Sequence, residues 1–141
     1  MKPLIRLIYA SRSRGMAMQH AINIRRVAEK HNESAGITGA LVATKQRFMQ
    51  VLEGPDDAVR SLLSRIEKDS RHEACTVLLD AEIDYRLWPE WSMKLLSDTQ
   101  FERRAQSYGL EIDNLPEDLT QASYWIDLLY TFSVENRNSD V

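Results

Sequence analysis

The first hundred residues alternate between two hydrophobic periods, and the alternation predicts the elements. In "PLIRLIYAS", Ile5, Leu7 and Tyr9 fall on one face of a strand and Leu4, Ile8 and Ala10 on the other, with Arg6 near the exposed end. Apolar residues on both faces mark a central strand covered from two sides. "SRSRG" breaks the pattern, and from Met16 to about Asn32 the period becomes helical. Ala17, Ala21, Ile24 and Ala28 recur at spacings of four, three and four; Asn32 extends the stripe, and His31, four beyond Val27, lies beside it. A second strand is expected from Ile37 to Thr44, with Gly36 and Gly39 bracketing its entry. "TKQR" is a short hairpin connection, and Arg47 to Leu52 returns antiparallel.

"GPDD" reads as a helix start, with Gly54 at the cap, Pro55 at the first helical position and two carboxylates in the first turn. That helix is expected to run to about Asp69, with Ala58, Leu62, Arg65 and Asp69 on one stripe. "ACTVLLDAEID" is a fourth strand, "RLWPEW" a loop, and "WSMKLL" a short fifth strand with Trp91, Met93 and Leu95 on one face. The order βαββαββ predicts an α+β, ferredoxin-like fold, with two helices on one face of a mixed sheet. Two more helices are expected to cover the other face. One spans residues 99–108, with Ser97 and Gln100 as a capping box and Gly109 as its stop. The other runs from Pro116 to about Ser133, with Leu119, Ala122, Trp125 or Ile126, and Leu129 as its stripe. The division is then a domain over residues 1–96, a helical extension over 97–134 serving output or oligomerisation, and a polar tail over 135–141, expected to be disordered.

Bulk composition narrows the class. The chain has 141 residues, 43% hydrophobic and 28% charged, with a net charge of −3, which is ordinary for a soluble domain. It has no basic block to grip nucleic acid or an anionic membrane. Cys75 is the single cysteine, so no intrachain disulfide forms, in keeping with a reducing compartment. No apolar run approaches the roughly 18 residues of a membrane span, and "MKPLIRLIYASRS" is too short and too charged for a signal peptide. A cytoplasmic protein is expected. "GITG" has the outline of the GxxG loop of KH domains, but it opens a strand in an acidic chain.

Polar side chains on faces patterned for burial carry the candidate chemistry: Tyr9, Asn32, Gln50, and Arg65 with Asp69. An unpaired buried amide at Gln50 would cost about 1–3 kcal/mol. Either that strand is a wet edge or something polar meets the amide. Residue by residue, ordinary readings stand beside this: a core tyrosine, a helix-end asparagine, a surface Arg–Asp pair, core fillers at Trp91 and Met93, a solvated His31. In a ferredoxin-like fold, however, the space between the helices lies over strands 1 and 3. If their faces agree, these groups converge on that cleft, and a planar ligand rich in ring donors and acceptors would satisfy the whole set there.

Taken together, "LIYAS", "HN…GITGALVATKQRFMQVLEGP", "RIEKDSRH" and "LWPEWSM" resemble the BLUF domain, the flavin-based blue-light sensor module, over roughly residues 3–96. The resemblance implies FAD held non-covalently between the two helices, with FMN or riboflavin as substitutes, no metal, and a sensor rather than an enzyme. It implies that Tyr9 is the electron and proton donor and Gln50 the switching amide. Flavin contacts are implied at Tyr9, Ser11, Ile24, His31, Asn32, Gln50, Arg65, Asp69 and Met93, and a signalling pair at Trp91 and Met93. His31 stands where many members carry a second asparagine, and Ala43 and Lys45 depart from the usual hairpin residues. The expected output runs through strand 5 and the C-terminal helices to a separate effector protein, with a homo-oligomer formed by those helices. A small flavoenzyme and a flavin-free regulatory or dimerisation domain are the competing readings; the first lacks a G-x-G-x-x-G nicotinamide loop.

Overall fold

β1 (Leu4–Ser13) is the strand around which the sheet is built. It pairs antiparallel with β3 (Arg47–Pro55) on one side and β4 (His72–Ile83) on the other. β2 (Thr38–Ala43) pairs antiparallel with β3, and the short β5 (Lys94–Leu96) adds parallel to β2, giving the order β4-β1-β3-β2-β5. The computed structural model describes residues 3–13, 30–43, 47–70, 72–88, 94–96, 103, 106–107 and 127–131. The expected α+β, ferredoxin-like sheet is therefore present, with β5 as an added edge.

The two-sided apolar pattern of β1 does what it predicts. Ile5, Leu7 and Tyr9 join Ile37, Leu41, Phe48, Leu52 and Val59 in one buried cluster; Ile8 and Ala10 join Ala40, Met49, Val51, Leu78, Trp88, Leu128 and Leu129 in another. Each cluster lies on its own face of the sheet, because side chains alternate along a strand. The first face is covered by α1 (described over 30–35), through Ala35, and by α2 (Asp56–Lys68), through Ala58, Val59, Leu62, Leu63 and Ile66. The helical segment 127–131 covers the second face with Leu128 and Leu129, and Tyr130 meets Trp88 edge to face, with ring centroids 6.2 Å apart. Of the two expected C-terminal helices, residues 103, 106–107 and 127–131 are helical; Trp125, Ile126, Leu119 and Ala122 lie outside the described residues.

Several boundaries differ from expectation for local reasons. β1 continues through Arg12 and Ser13, which stay paired to β4 and so are not yet loop. α1 runs past Asn32 to residue 35, where Gly36 (φ 75°) ends it in a Schellman motif: Ile37 N donates to Asn32 O at 2.8 Å and Gly36 N to Glu33 O at 3.3 Å. β3 does not stop at Leu52. Gly54 is a strand residue, needed where a Cβ would lie 2.9 Å from Gly36 O. Pro55 is the N-cap and not the first helical residue, so α2 begins at Asp56. Asp56 N donates to Pro3 O at 3.0 Å, and the Asp57 side chain accepts from Ala58 N. β4 uses twelve residues alongside the ten of β1, and two β-bulges, between Ile8/Tyr9 and Ala10/Arg12, absorb the excess. On the surface, the Arg60 guanidinium bonds both carboxylate oxygens of Asp80, at 2.7 and 3.0 Å, and also bonds Asp56, tying α2 to the outer edge of β4.

Gly39 sits where β2 comes closest to β3. A Cβ there would fall 1.9 Å from the Val51 carbonyl oxygen, inside backbone that cannot swing away. Gly39→Ala should therefore destabilise the fold by about 3 kcal/mol or more, read as a lowered urea midpoint at unchanged m-value; a variant within about 0.5 kcal/mol of wild type would show that the two strands are not this tightly apposed.

Candidate functional site

The β1–β3 register sets Tyr9 directly opposite Gln50, Ser11 opposite Phe48 and Leu7 opposite Leu52, all facing α1 and α2. Tyr9 and Gln50 are 0% and 1% exposed, and the Tyr9 hydroxyl donates to Gln50 Oε1. Gln50 is thus neither wet nor at an edge: β3 is flanked by β1 and β2. With its oxygen held by the phenol, the carboxamide presents its NH2 end to the other side.

Burial holds the Tyr9 phenol well above its ordinary pKa of 10.0, and the nearby Cys75 and Asp69 side chains push in the same direction. A phenolate in this cluster would lose water and face the Cys75 and Asp69 side chains, so the neutral donor form is favoured. One bulge of β4 lies immediately before Tyr9 and the other follows Ala10, so the ladder is irregular on both sides of the phenol-bearing turn of β1. Ser11, 2% exposed, hydrogen-bonds the half-buried Cys75 side chain; that bond lowers a thiol pKa which burial and Glu67 raise.

Asn32 enters from α1 with 0% exposure. It sits in the last turn of α1, where its carbonyl takes the Ile37 N–H of the Schellman turn. The residue has other interactions, but its Oδ1 is a buried acceptor that no described donor reaches. Asp69, the C-cap of α2, is half-buried and close enough to Tyr9 to act on its pKa.

Tyr9, Gln50, Asn32, Ser11 and Asp69 thus lie on the helix-covered side of the sheet. The described residues do not put Arg65 among them: it is exposed, because the inward arc of α2 is centred on Val59, Leu62 and Ile66 and leaves Arg65 on its flank. His31 is also exposed, with its backbone carbonyl accepting from Ser34 Oγ at 3.0 Å. Ile24, Trp91 and Met93 lie outside the described residues. A flavin ring edge alternates an N–H donor with carbonyl and ring-nitrogen acceptors, and two buried carboxamides beside a phenol are the donor and acceptor set that such an edge requires. The residues present fit the group.

A second polar cluster, on the opposite face, has no counterpart in the sequence reading. Glu53 is 0% exposed. Its Oε2 accepts from Arg6 Nε at 2.8 Å and Leu87 N at 3.1 Å, and its Oε1 from Trp88 N at 2.8 Å. Arg86 adds bonds to Thr38 Oγ1 at 2.9 Å, Glu53 O at 3.2 Å and Gly36 O at 2.7 Å. The available signal was parity: Glu53 shares its face with Met49 and Val51, and Arg6 shares its own with Ile8 and Ala10.

The raised Tyr9 pKa has a signed consequence. Above about pH 10 the unfolded chain releases its phenolic protons while folded Tyr9 keeps its own, so stability falls as pH rises. Relative to Tyr9→Phe, the wild-type free energy of unfolding should drop by up to about 1.4 kcal/mol per pH unit above 10, measured by denaturant titration; parallel profiles for the two proteins would contradict the burial.

The family model for sensors of blue light using FAD, BLUF, matches residues 4–94. The chain is 35% identical over 94 residues to the beta subunit of a photoactivated adenylate cyclase of Euglena longa, an alignment covering 64% of this chain and 11% of the relative. It is 40% identical over 86 residues to the alpha subunit from Euglena gracilis, covering 60% and 8%. The chain thus spans about a tenth of the length of these curated relatives. Among solved structures, the dark state of BlrB, a BLUF protein, superposes with a TM-score of 0.79 at 26% identity over 96% of this chain and 98% of that one. The photo-activated state of BlsA gives 0.76 at 28% identity over 90% and 94%. With the family model matched over residues 4–94 and the sheet in agreement with these structures, the chain belongs to the BLUF family of blue-light sensors.

Proposed function

We propose that the protein is a blue-light photoreceptor that binds FAD non-covalently against the Tyr9–Gln50 face, and that these two residues are its photoactive pair. The observation that carries this is the fully buried cross-strand bond from the Tyr9 hydroxyl to Gln50 Oε1. When bound, FAD supplies the chromophore and, once excited by blue light, a strong one-electron oxidant. Tyr9 is the reductant at hand. A buried phenol that gives up an electron becomes a strong acid, and Gln50 Oε1 is already placed to take its proton. Gln50 suits the relay because its ends differ: the oxygen accepts and the NH2 donates. Rotation or tautomerisation of the amide exchanges what the ring edge meets, and the second arrangement is the signalling state. Asn32 would hold the ring edge, and Ser11 and Asp69 flank the pair.

The family match supports a sensory role for residues 4–94, and this proposal assigns no catalysis to them. It also disfavours the flavoenzyme and the flavin-free regulatory readings. Among the relatives are photoactivated cyclase subunits, in which the matched region is a small part of a longer protein. By analogy, the signal here passes to an effector, a separate protein contacted through β5 and the C-terminal helices, with self-association of those helices as part of the output. Strand positions Trp91 and Met93 and contacts at Ile24, His31 and Arg65 belong to this proposal. Among the described residues no helix is long and apolar enough to cross a membrane, and a cytoplasmic setting is part of the same reading.

Purified protein should be yellow, and brief blue illumination should shift its flavin absorption slightly to the red, reversibly in the dark. Tyr9→Phe should keep the flavin and lose the shift, because the ring packing survives and the donor does not. A colourless protein reconstituted with FAD without spectral change, or a Tyr9→Phe variant with the full shift, would overturn the assignment.

A further inference from the structure

The ladder between β1 and β3 carries two buried polar cross-strand pairs. Tyr9 faces Gln50 on the helix-covered side; three residues along, Arg6 faces Glu53 on the opposite side. Glu53 does more than pair with Arg6. Its two oxygens receive the backbone N–H groups of Leu87 and Trp88, so one carboxylate fixes the exit of the segment that leaves β4 and leads toward β5. The Arg6 guanidinium also reaches Tyr85 O at 3.4 Å, and Arg86 clamps Gly36 O, Thr38 Oγ1 and Glu53 O. Residues 85–88 are thus anchored to β1, to β3, to the start of β2 and to Gly36 before it. Trp88, pinned by its N–H, is 2% exposed and packs with Leu128 and Leu129, with Tyr130 against its edge.

We infer that Glu53 is a positioning residue of the photoswitch: its carboxylate joins β3 to residues 87–88 and, through Trp88, to the helical segment 127–131. This rests on the photoreceptor reading above. A rearrangement at Gln50 shifts β3, on which Glu53 lies three residues away. A carboxylate holding two adjacent N–H groups and a guanidinium has little slack, so the shift loosens that grip and is delivered to the other face of the sheet. Glu53 touches neither Tyr9 nor Gln50 and takes no part in the photochemistry.

Glu53→Gln is the informative variant. It preserves volume but replaces one acceptor oxygen with a donor, which must then face an N–H group or the Arg6 guanidinium. Hydrogen exchange resolved to 85–88 and 127–131 is compared in dark and light, alongside the absorption spectrum. In the wild-type protein, the amides of Leu87 and Trp88 should exchange about tenfold faster in light, with a smaller rise at 127–131. In Glu53→Gln the red shift should keep its wild-type size while the light–dark difference at 127–131 is lost. A merely structural role would lower dark protection and leave that difference in place, which overturns the inference. A wild-type protein that red-shifts with no light-dependent exchange at 87–88 also overturns it, and this arm needs no variant to fold. Absence of the red shift in the wild-type protein would instead remove the photoreceptor reading itself.

Discussion

The antiparallel register of β1 against β3 is the constraint on which the rest depends. It sets a phenol opposite a carboxamide and, three residues away, a guanidinium opposite a carboxylate. Because side chains alternate, the two pairs emerge on opposite faces of the same ladder. A slip of one residue would exchange the faces of an entire strand, moving Gln50 to the side of Ile8 and Ala10 and Glu53 to the side of Leu7 and Tyr9. Register is pinned because both faces are packed: apolar residues from the same strands fill the two clusters on either side.

Polar groups inside such a core are tolerated only when satisfied. The two pairs meet that demand differently. Tyr9 bonds only the oxygen of Gln50, and the two ends of that amide differ, an arrangement suited to reorganisation. Glu53 is saturated by three fixed donors, two of them backbone, and is suited to holding still. Removing one partner of a buried ion pair typically costs about 3–5 kcal/mol, since the other is left uncompensated. The ladder therefore carries an adaptable bond on one face and a rigid one on the other.

The packing around the phenol reinforces its role as a donor. Burial, Cys75 and Asp69 all disfavour the phenolate, so Tyr9 is held in its neutral, hydrogen-bond-donating form. The bulges of β4 beside Tyr9 and Ser11 interrupt a regular ladder where a side chain must be aimed, and the one between Ile8 and Tyr9 lets Leu78 and Leu79 both serve the opposite cluster. The near-complete overlap with BlrB and the small share of the cyclase subunits that is matched describe the same unit: a sensor module found both in short chains and within long ones.

Local periodicity determined a good deal: the two faces of β1, the β2–β3 hairpin, the helix after β3, and the burial of Tyr9 and Gln50 each among the apolar residues of its own strand. These follow from side-chain alternation and from the helical repeat, which act within a few residues. Tertiary structure decided what depends on distant partners. Gly54 looked like a helix cap; pairing with Ile5 of β1 makes it a strand residue, and the approach of Gly36 O leaves no room for a Cβ. Arg65 lay on a plausible stripe, and only the true inward arc of α2 turns it outward. Glu53 was invisible as a functional group because two of its three donors are backbone N–H groups, which carry no residue identity, and they arrive from 34 and 35 residues away once the loop after β4 folds back.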